Sequence, residues 1–545
     1  MMVLKKRRTP RSLMIQKRAE EVDRISELPE SIIHHIMSFL SHKDAARFSA
    51  LCKRFRSAWN SFPFIVFNET LNLGSCGDDL YGEAKVNKFL KYVSGFLQQR
   101  PPNISLERFR FCVDLFEGYD KKTHHIDGAI GYAIENHVKE LELDFGEGPA
   151  HYRFPLTVLS AKSIRVLKLK GLKLGSGHKD LMLSHPFVES LSIQFCIGLK
   201  TLRVSCQNLK IMEIYSCKGL KMVAVDESNL ESFSFLGDVS STRKSDSCSI
   251  NIAACKSLKC LSLENAQITG EWIKSHIPNF LLLEDLKLEC CELLKDLYVS
   301  SAKLKTLELS DCSQLKKIEA VAPNLEYFSY IGQKGLSLIN IGACRSLKDL
   351  TLIGARIEDE WIVSAVHEFP FLKNFRLFGC SSLQKFNISH EELETLQIVD
   401  CDALKEVQIY ARSLDTFVYT GGCTKLPKFL IDSACFKAEL SLCNGSKFSS
   451  RLFLELRDFL ACFGHCRELQ ITCRSTDILI VPGDLRDSLV PPLYDLKHLK
   501  LHISDPNLDE LKDLVDSLLW LAPHPYTITI VSGYEEKSLK VIISK

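Results

Sequence analysis

The chain has 545 residues, 46% of them hydrophobic and 25% charged, with a net charge of +2. That length exceeds one compact core and calls for several domains or a repeat array. The near-neutral balance argues against a nucleic-acid-binding body, and no apolar run reaches the ~18 residues of a membrane span.

Lys5, Lys6, Arg7, Arg8, Arg11, Lys17 and Arg18 crowd the start and leave the remainder slightly acidic. Without apolar periodicity, residues 1–22 are expected to form a disordered basic tail. The run from Lys5 to Arg8 reads as a nuclear localisation signal or equally as a solubilising tail. The apolar core of a secretory signal is missing, so the expected location is the nucleus and/or cytoplasm.

In residues 28–59, Ile32, Ile33, Ile36, Phe39 and Leu40 follow helical spacing. Pro29 suits a first helical turn and Glu30 the positive end of the helix dipole. After a break at Ser41-His42, Asp44 is placed to begin a new helix, and Ala45, Phe48, Ser49, Leu51, Cys52, Phe55 and Trp59 form a second apolar set, for two or three short helices in all. So small a helical module needs a partner or neighbour to cover it. The stretch resembles the F-box in Leu28-Pro29, Ile32-Ile33, Ile36, Phe39-Leu40, Asp44-x-x-Arg47 and Leu51-Cys52-Lys53-Arg54-Phe55-Arg56. Phe55 stands where that family more often has Trp. The resemblance implies docking on a Skp-type adaptor, and through it a cullin, by Leu28, Pro29, Ile32, Ile33, Ile36, Leu40, Leu51 and Phe55. Phe55 and Trp59 have an alternative, packing on the first repeat.

Next come a short strand, Phe64-Ile-Val-Phe67, and a helix over residues 83–99 closed by Arg100-Pro101-Pro102. From there one template recurs, Leu-x-x-Leu-x-Leu-x-x-Cys-x-x-Leu. Its cysteine falls at Cys196, Cys217, Cys291, Cys312, Cys380 and Cys401. The central apolar positions are 191, 212, 233, 261, 286, 307, 328, 350, 375, 396 and 417, with weaker turns at Phe109, Leu141, Leu167, Leu440, Leu469 and Leu499. This resembles the leucine-rich repeat in its cysteine form. The resemblance implies an α/β architecture: a small helical F-box, then a horseshoe solenoid with a parallel sheet on the concave face.

A longer period is superimposed. The segment CKSLKCLSLENAQITGEWIKSHIPNF from Cys255 aligns without a gap with CRSLKDLTLIGARIEDEWIVSAVHEF, 89 residues later, from Cys344. A looser third copy covers residues 163–237. The longer turns with Trp272 and Trp361 have room for a helix and the short turns for an outer strand, so a mixed helix/strand convex wall is expected. Each turn buries its leucines only against its neighbours, so a stack is required. The repeated cysteines suit a narrow inward position as small free thiols, not as redox groups. No Cys-x-x-Cys pair exists, and Cys462-x-x-x-Cys466 with His465 is a poor metal candidate. Neither a metal nor a cofactor is expected.

The end of the chain reads as helices over residues 451–463 and 511–521 and strands over 469–471, 496–503 and 526–531. It partly resembles the FBD module of plant F-box/leucine-rich-repeat proteins and is suited to capping the solenoid edge. The expected domains are thus a tail (1–22), an F-box (23–68), a linking helix with irregular repeats (69–160), leucine-rich repeats (161–445, doubled as 255–343 and 344–432) and a cap (446–545).

Nucleophile-elbow, phosphate-loop and zinc-protease motifs are missing, so the chain is expected not to be an enzyme. The pairs His34-His35 and His124-His125 read as surface or structural groups. What the resemblance implies is a ubiquitin-ligase substrate receptor that captures a target protein on the concave face. Tyr215, Lys287, Glu289, Glu308, Arg376 and Phe378 are the candidates there. A scaffold acting without the ligase and a small-molecule sensor remain as alternatives.

Overall fold

The computed structural model describes residues 27–73, 83–115, 123–148, 152–174, 180–226, 228–238, 248–332, 338–422, 426–433, 437–443, 450–504, 511–532 and 537–542. The basic tail and its candidate nuclear signal lie outside the described residues. The chain divides into two compact units, Met1–Val166 and Leu167–Lys545.

In the first unit α1 (Glu30–Ser38), α2 (His42–Ser49) and α3 (Lys53–Asn60) fold round buried Ile33, Met37, Ala45, Phe55, Ala58, Trp59 and Phe62. Pro29 precedes α1 and its carbonyl accepts from the Ile32 N–H (2.9 Å). Asp44 does not begin α2. The helix starts at His42, and Ser41 caps it, accepting from the Asp44 N–H (3.1 Å) and donating to the Asp44 carboxylate (2.7 Å). Cys52 caps α3 through a Phe55 N–H···Sγ contact of 3.4 Å.

The strand Phe64–Asn68 pairs in parallel with Arg108–Cys112, which pairs with Glu140–Asp144. The helices Glu83–Gln98 and His124–Glu135 make the connections. Phe67 stands edge-on to Phe96 (5.4 Å) and Phe109 (5.8 Å). Arg100 does more than end a helix. It is buried, donates to the carbonyls of Phe62 (2.6 Å) and Trp59 (3.4 Å), and lies 5.7 Å from the Phe96 ring centroid.

The second unit is a parallel-sheet solenoid. From Ser190–Gln194 the strands pair in series through Ile211–Tyr215, Ser232–Leu236, Cys260–Glu264, Asp285–Glu289, Thr306–Ser310, Tyr327–Ile331, Asp349–Ile353, Asn374–Phe378, Thr395–Val399 and Thr416–Gly422. All the central positions from Leu191 to Phe417 lie in one register row, as the leucine spacing requires. The next turn departs: Phe417 pairs with Ala438, and Leu440 opposes Tyr419 in the neighbouring inward row. Both residues are buried, and a leucine template picks the larger one.

After most of these strands a left-handed residue turns the chain inward, as at Ser216 (φ +48°), Cys290 (φ +51°), Gly379 (φ +61°) and Asp400 (φ +52°). The ladder cysteine follows. Cys217 Sγ donates to the Ile193 carbonyl (3.5 Å), Cys291 to Leu263 (3.6 Å) and Cys380 to Leu352 (3.8 Å), each on the preceding turn. The adjoining Cys312 thiol and burial push the Cys291 thiol up, and Cys401 and burial do the same for Cys380.

Both kinds of outer wall are present. The helices Gly270–His276 and Asp359–Glu368 carry Trp272 and Trp361. Short strands form separate outer sheets that end in Ser249–Asn251, Leu338–Asn340 and Lys428–Ser433. The turn from Leu167 that opens the looser copy carries a strand, Asp180–Leu183. Each outer sheet is closed by a side-chain donor. Trp272 Nε1–H reaches the Ile250 carbonyl (2.8 Å), Trp361 Nε1–H reaches Ile339 (2.8 Å), and Cys462 Sγ–H reaches Phe429 (3.3 Å). In all three the acceptor is the second residue of the last strand, so an open edge is blunted. Trp361→Phe keeps a ring and removes the donor, and should cost about 1 kcal/mol. Trp361→Ala should cost about 3 kcal/mol. A Trp361→Phe urea midpoint equal to the parent's would show that the indole N–H contributes nothing beyond bulk.

Beyond this, Lys437–Cys443, Glu468–Cys473, His498–Ile503 and Thr527–Ser532 continue the parallel stack, with the helices Ser450–Ala461 and Leu511–Leu521 on its outer side. Lys537–Ile542 then pairs antiparallel with Thr527–Ser532.

Candidate functional site

Two surfaces carry the residues singled out by sequence. On the helical module, burial sorts the adaptor candidates. Ile33 and Phe55, expected on the docking surface, are instead 0% and 4% exposed inside the core, with Phe55 stacked on Phe48 at 4.2 Å. An apolar stripe on a helix in a three-helix module has an inner flank, and Ile33 shares that flank with Met37. Phe55 therefore packs within the module, while Trp59 stacks on Phe62 (5.8 Å) and meets Phe96 edge-on (6.0 Å). Ile32 (43%), Leu40 (37%) and Leu51 (71%) face solvent. Pro29 is exposed and Leu28 and Ile36 are half-buried. Phe39, at the end of α1 and outside the candidate set, is 77% exposed. Arg54 donates to the Leu28 carbonyl (2.6 Å) and ties the start of the module to α3. Ile32, Phe39, Leu40 and Leu51 are large apolar side chains that this module leaves exposed.

In each histidine pair one ring is hydrogen-bonded and the other, His35 or His124, is exposed. His34 Nε2 lies 2.8 Å from the Ala58 carbonyl and His125 Nδ1 lies 2.8 Å from the Ser94 hydroxyl.

Along each repeat strand the second and fourth residues enter the core, and the first, third and fifth form three rows on the opposite face. The third row includes Glu213, Ser262, Lys287, Glu308, Thr351, Arg376 and Gln397. The fifth includes Tyr215, Glu264, Glu289, Ser310, Ile331, Ile353, Phe378 and Val399. All six face candidates lie in these two rows. Lys287 pairs with Glu289 at 2.9 Å, and this bond, with Glu308 and Glu264 nearby, raises its pKa. Arg376 lies 3.5 Å from Asp349, whose carboxylate also accepts from Asn374 (2.7 Å). Burial pushes the Tyr215 phenol up, with Glu213 and Glu264 adding to it. Glu264, Ile331 and Ile353 belong to the same row but sit on turns outside the six cysteine copies. Strand register, not the cysteine, is the signal that finds them.

The family model of the F-box domain matches residues 25–67. The family model described as At1g61320/AtMIF1, LRR domain, matches residues 178–249, 246–341 and 337–471, more than half of the chain. Similar proteins come from Arabidopsis thaliana. F-box/LRR-repeat protein 13 is 26% identical over 219 residues, covering 35% of this chain and 46% of its own length. F-box/LRR-repeat protein 25 is 26% identical over 206 residues, covering 34% of this chain and 72% of its own length. F-box/FBD/LRR-repeat protein At1g13570 is 30% identical over 150 residues, covering 28% and 33%. The chain spans less than half the length of several of these relatives. A solved structure, the plant peptide hormone receptor RGFR1 in complex with RGF2, overlays 79% of this chain and 90% of that one at 14% identity. Its TM-score of 0.23 is too low to carry an argument. Two family models, one on the helical module and one on the repeats, agree with the architecture, and the chain belongs to the F-box/leucine-rich-repeat proteins.

Proposed function

We propose that this protein is the substrate-recognition subunit of a Skp-cullin-F-box ubiquitin ligase. The F-box docks a Skp-type adaptor and through it a cullin, and the repeats hold a target protein for ubiquitination. Partner subunits perform the chemistry, in the nucleus and/or cytoplasm, and this chain supplies no catalytic group. The observation that supports the reading is the set of exposed apolar side chains, Ile32, Phe39, Leu40 and Leu51, on a module whose core is complete without them. Such a surface fits a helix-in-groove contact.

The test is co-purification with a Skp-type adaptor. Phe39→Asp with Leu51→Asp touches no core residue. If each side chain contributes about 1.5 kcal/mol of burial, capture should weaken roughly hundredfold. Undiminished capture by this variant, at an unchanged melting temperature, would rule out this surface as the docking site.

A further inference from the structure

The 89-residue doubling gives face positions of the first block a counterpart in the second. The framework is the same in both: Trp272 matches Trp361, Cys291 matches Cys380, and Cys312 matches Cys401. The fifth-residue row is not. Glu264 stands where the second block has Ile353, Glu289 where it has Phe378, and Ser310 where it has Val399. The third row keeps a cation in each block, Lys287 on Glu289 (2.9 Å) and Arg376 on Asp349 (3.5 Å).

One half of the face is therefore acidic. Glu264, Glu289 and Glu308 surround Lys287, three carboxylates against one ammonium. The other half is apolar. Ile331, Ile353, Phe378 and Val399 stand side by side on four successive strands, a stripe about 14 Å long at ~4.8 Å per strand. Beside it the next residues are Gly332, Gly354, Gly379 and Asp400, and in the acidic half Asn265, Cys290 and Asp311 stand opposite the last three. A side-chain carbon at Gly379 would meet nothing within 4 Å, so bare backbone is open to an incoming chain there.

We infer that this face takes a target segment carrying Lys or Arg a few strand widths from a bulky apolar side chain. The cation lies over Glu264, Glu289 and Glu308, and the apolar group lies on the Ile331 to Val399 stripe beside the open backbone of Gly379. The inference rests on the receptor reading and names the chemistry of its target. The carboxylates speed encounter and make it salt-dependent, while the stripe sets the dwell time. Arg376 calls for no acidic partner, because Asp349 already holds its charge.

The test is selection of a random peptide library, about 12 residues long, displayed on phage against the immobilised full chain. Enriched sequences should combine Lys or Arg with Phe, Leu, Ile or Trp. The leading peptide, synthesised, should bind about tenfold more weakly to Phe378→Ser, with its salt dependence kept. For Glu264→Gln with Glu289→Gln it should bind more weakly and lose most of that salt dependence. Both variants should melt like the parent. Enrichment of acidic or purely polar peptides, no enrichment over the bare support, or affinity indifferent to both variants overturns the inference. Adaptor capture on the same preparations separates the two ideas. A chain that holds the adaptor and selects acidic peptides defeats the inference alone. One that selects basic-apolar peptides without holding the adaptor defeats the receptor reading alone.

Discussion

Arg100→Ala should lower the stability of the first unit by about 3 kcal/mol, because two charge-assisted hydrogen bonds at ~1.5–3 kcal/mol each are lost. The guanidinium is buried and reaches the Phe62 carbonyl at 2.6 Å and the Trp59 carbonyl at 3.4 Å. Those carbonyls lie at and beyond the end of α3, where intrahelical donors run out. The Phe96 ring 5.7 Å from the cation adds a smaller attraction. Burial lowers the Arg100 pKa, yet arginine stays charged, so removing it takes the charged donor from the Phe62 carbonyl, while the Trp59 carbonyl keeps the Phe62 N–H (3.3 Å). Arg100→Met tests the account. It keeps the stem and relieves the desolvation cost, so its loss should be smaller, about 1–2 kcal/mol. The measurement is amide exchange across residues 55–62. If Arg100→Ala leaves exchange there unchanged, water serves those carbonyls equally well and the bracket is not needed.

Phe375→Ala should cost about 3–5 kcal/mol, the range for emptying a buried aromatic site. Phe375 is 1% exposed, lies in register between Leu350 and Leu396, and faces Phe386 of the outer wall at 6.0 Å. In a solenoid each turn leans only on its neighbours, so the damage should stay local. Exchange should rise in the strands Asp349–Ile353 to Thr395–Val399 and stay slow in Ser190–Gln194. A uniform rise would mean that the unit opens as one cooperative body.

The register of the repeat sheet was legible because its inward rows use one chemistry at regular spacing. Leu286, Leu307 and Leu396 fall where counting puts them. Ala438 was not, since a template that looks for leucine prefers Leu440, which lies in the adjoining inward row. The helix His124–Glu135 also escapes the pattern, because Gly128, Ala129, Gly131 and Ala133 give no leucine stripe. On the F-box, Ile32 and Ile33 are alike as residues, and the packing of α3 alone decides that one is covered and the other is not. The rows of the sheet face were readable in principle, and Glu264 and Ile353 follow once every strand is placed by its pairing. The paired tryptophans were visible as a recurrence. Their acceptors, 22 residues upstream in both cases, belong to tertiary structure, and so does the matching part played by Cys462.

Those closed outer sheets set the unit in which this molecule changes length. From Leu261 to Leu350 the sheet gains four strands, at Leu286, Leu307, Phe328 and Leu350, about 19 Å of face at ~4.8 Å per strand. Excision or copying between two tryptophan helices would leave every outer ladder whole, whereas a cut inside a block would strand an unpaired edge. Reach therefore changes in coarse steps of one block, while the chemistry of the face can drift one side chain at a time, as Glu264 and Ile353 already have.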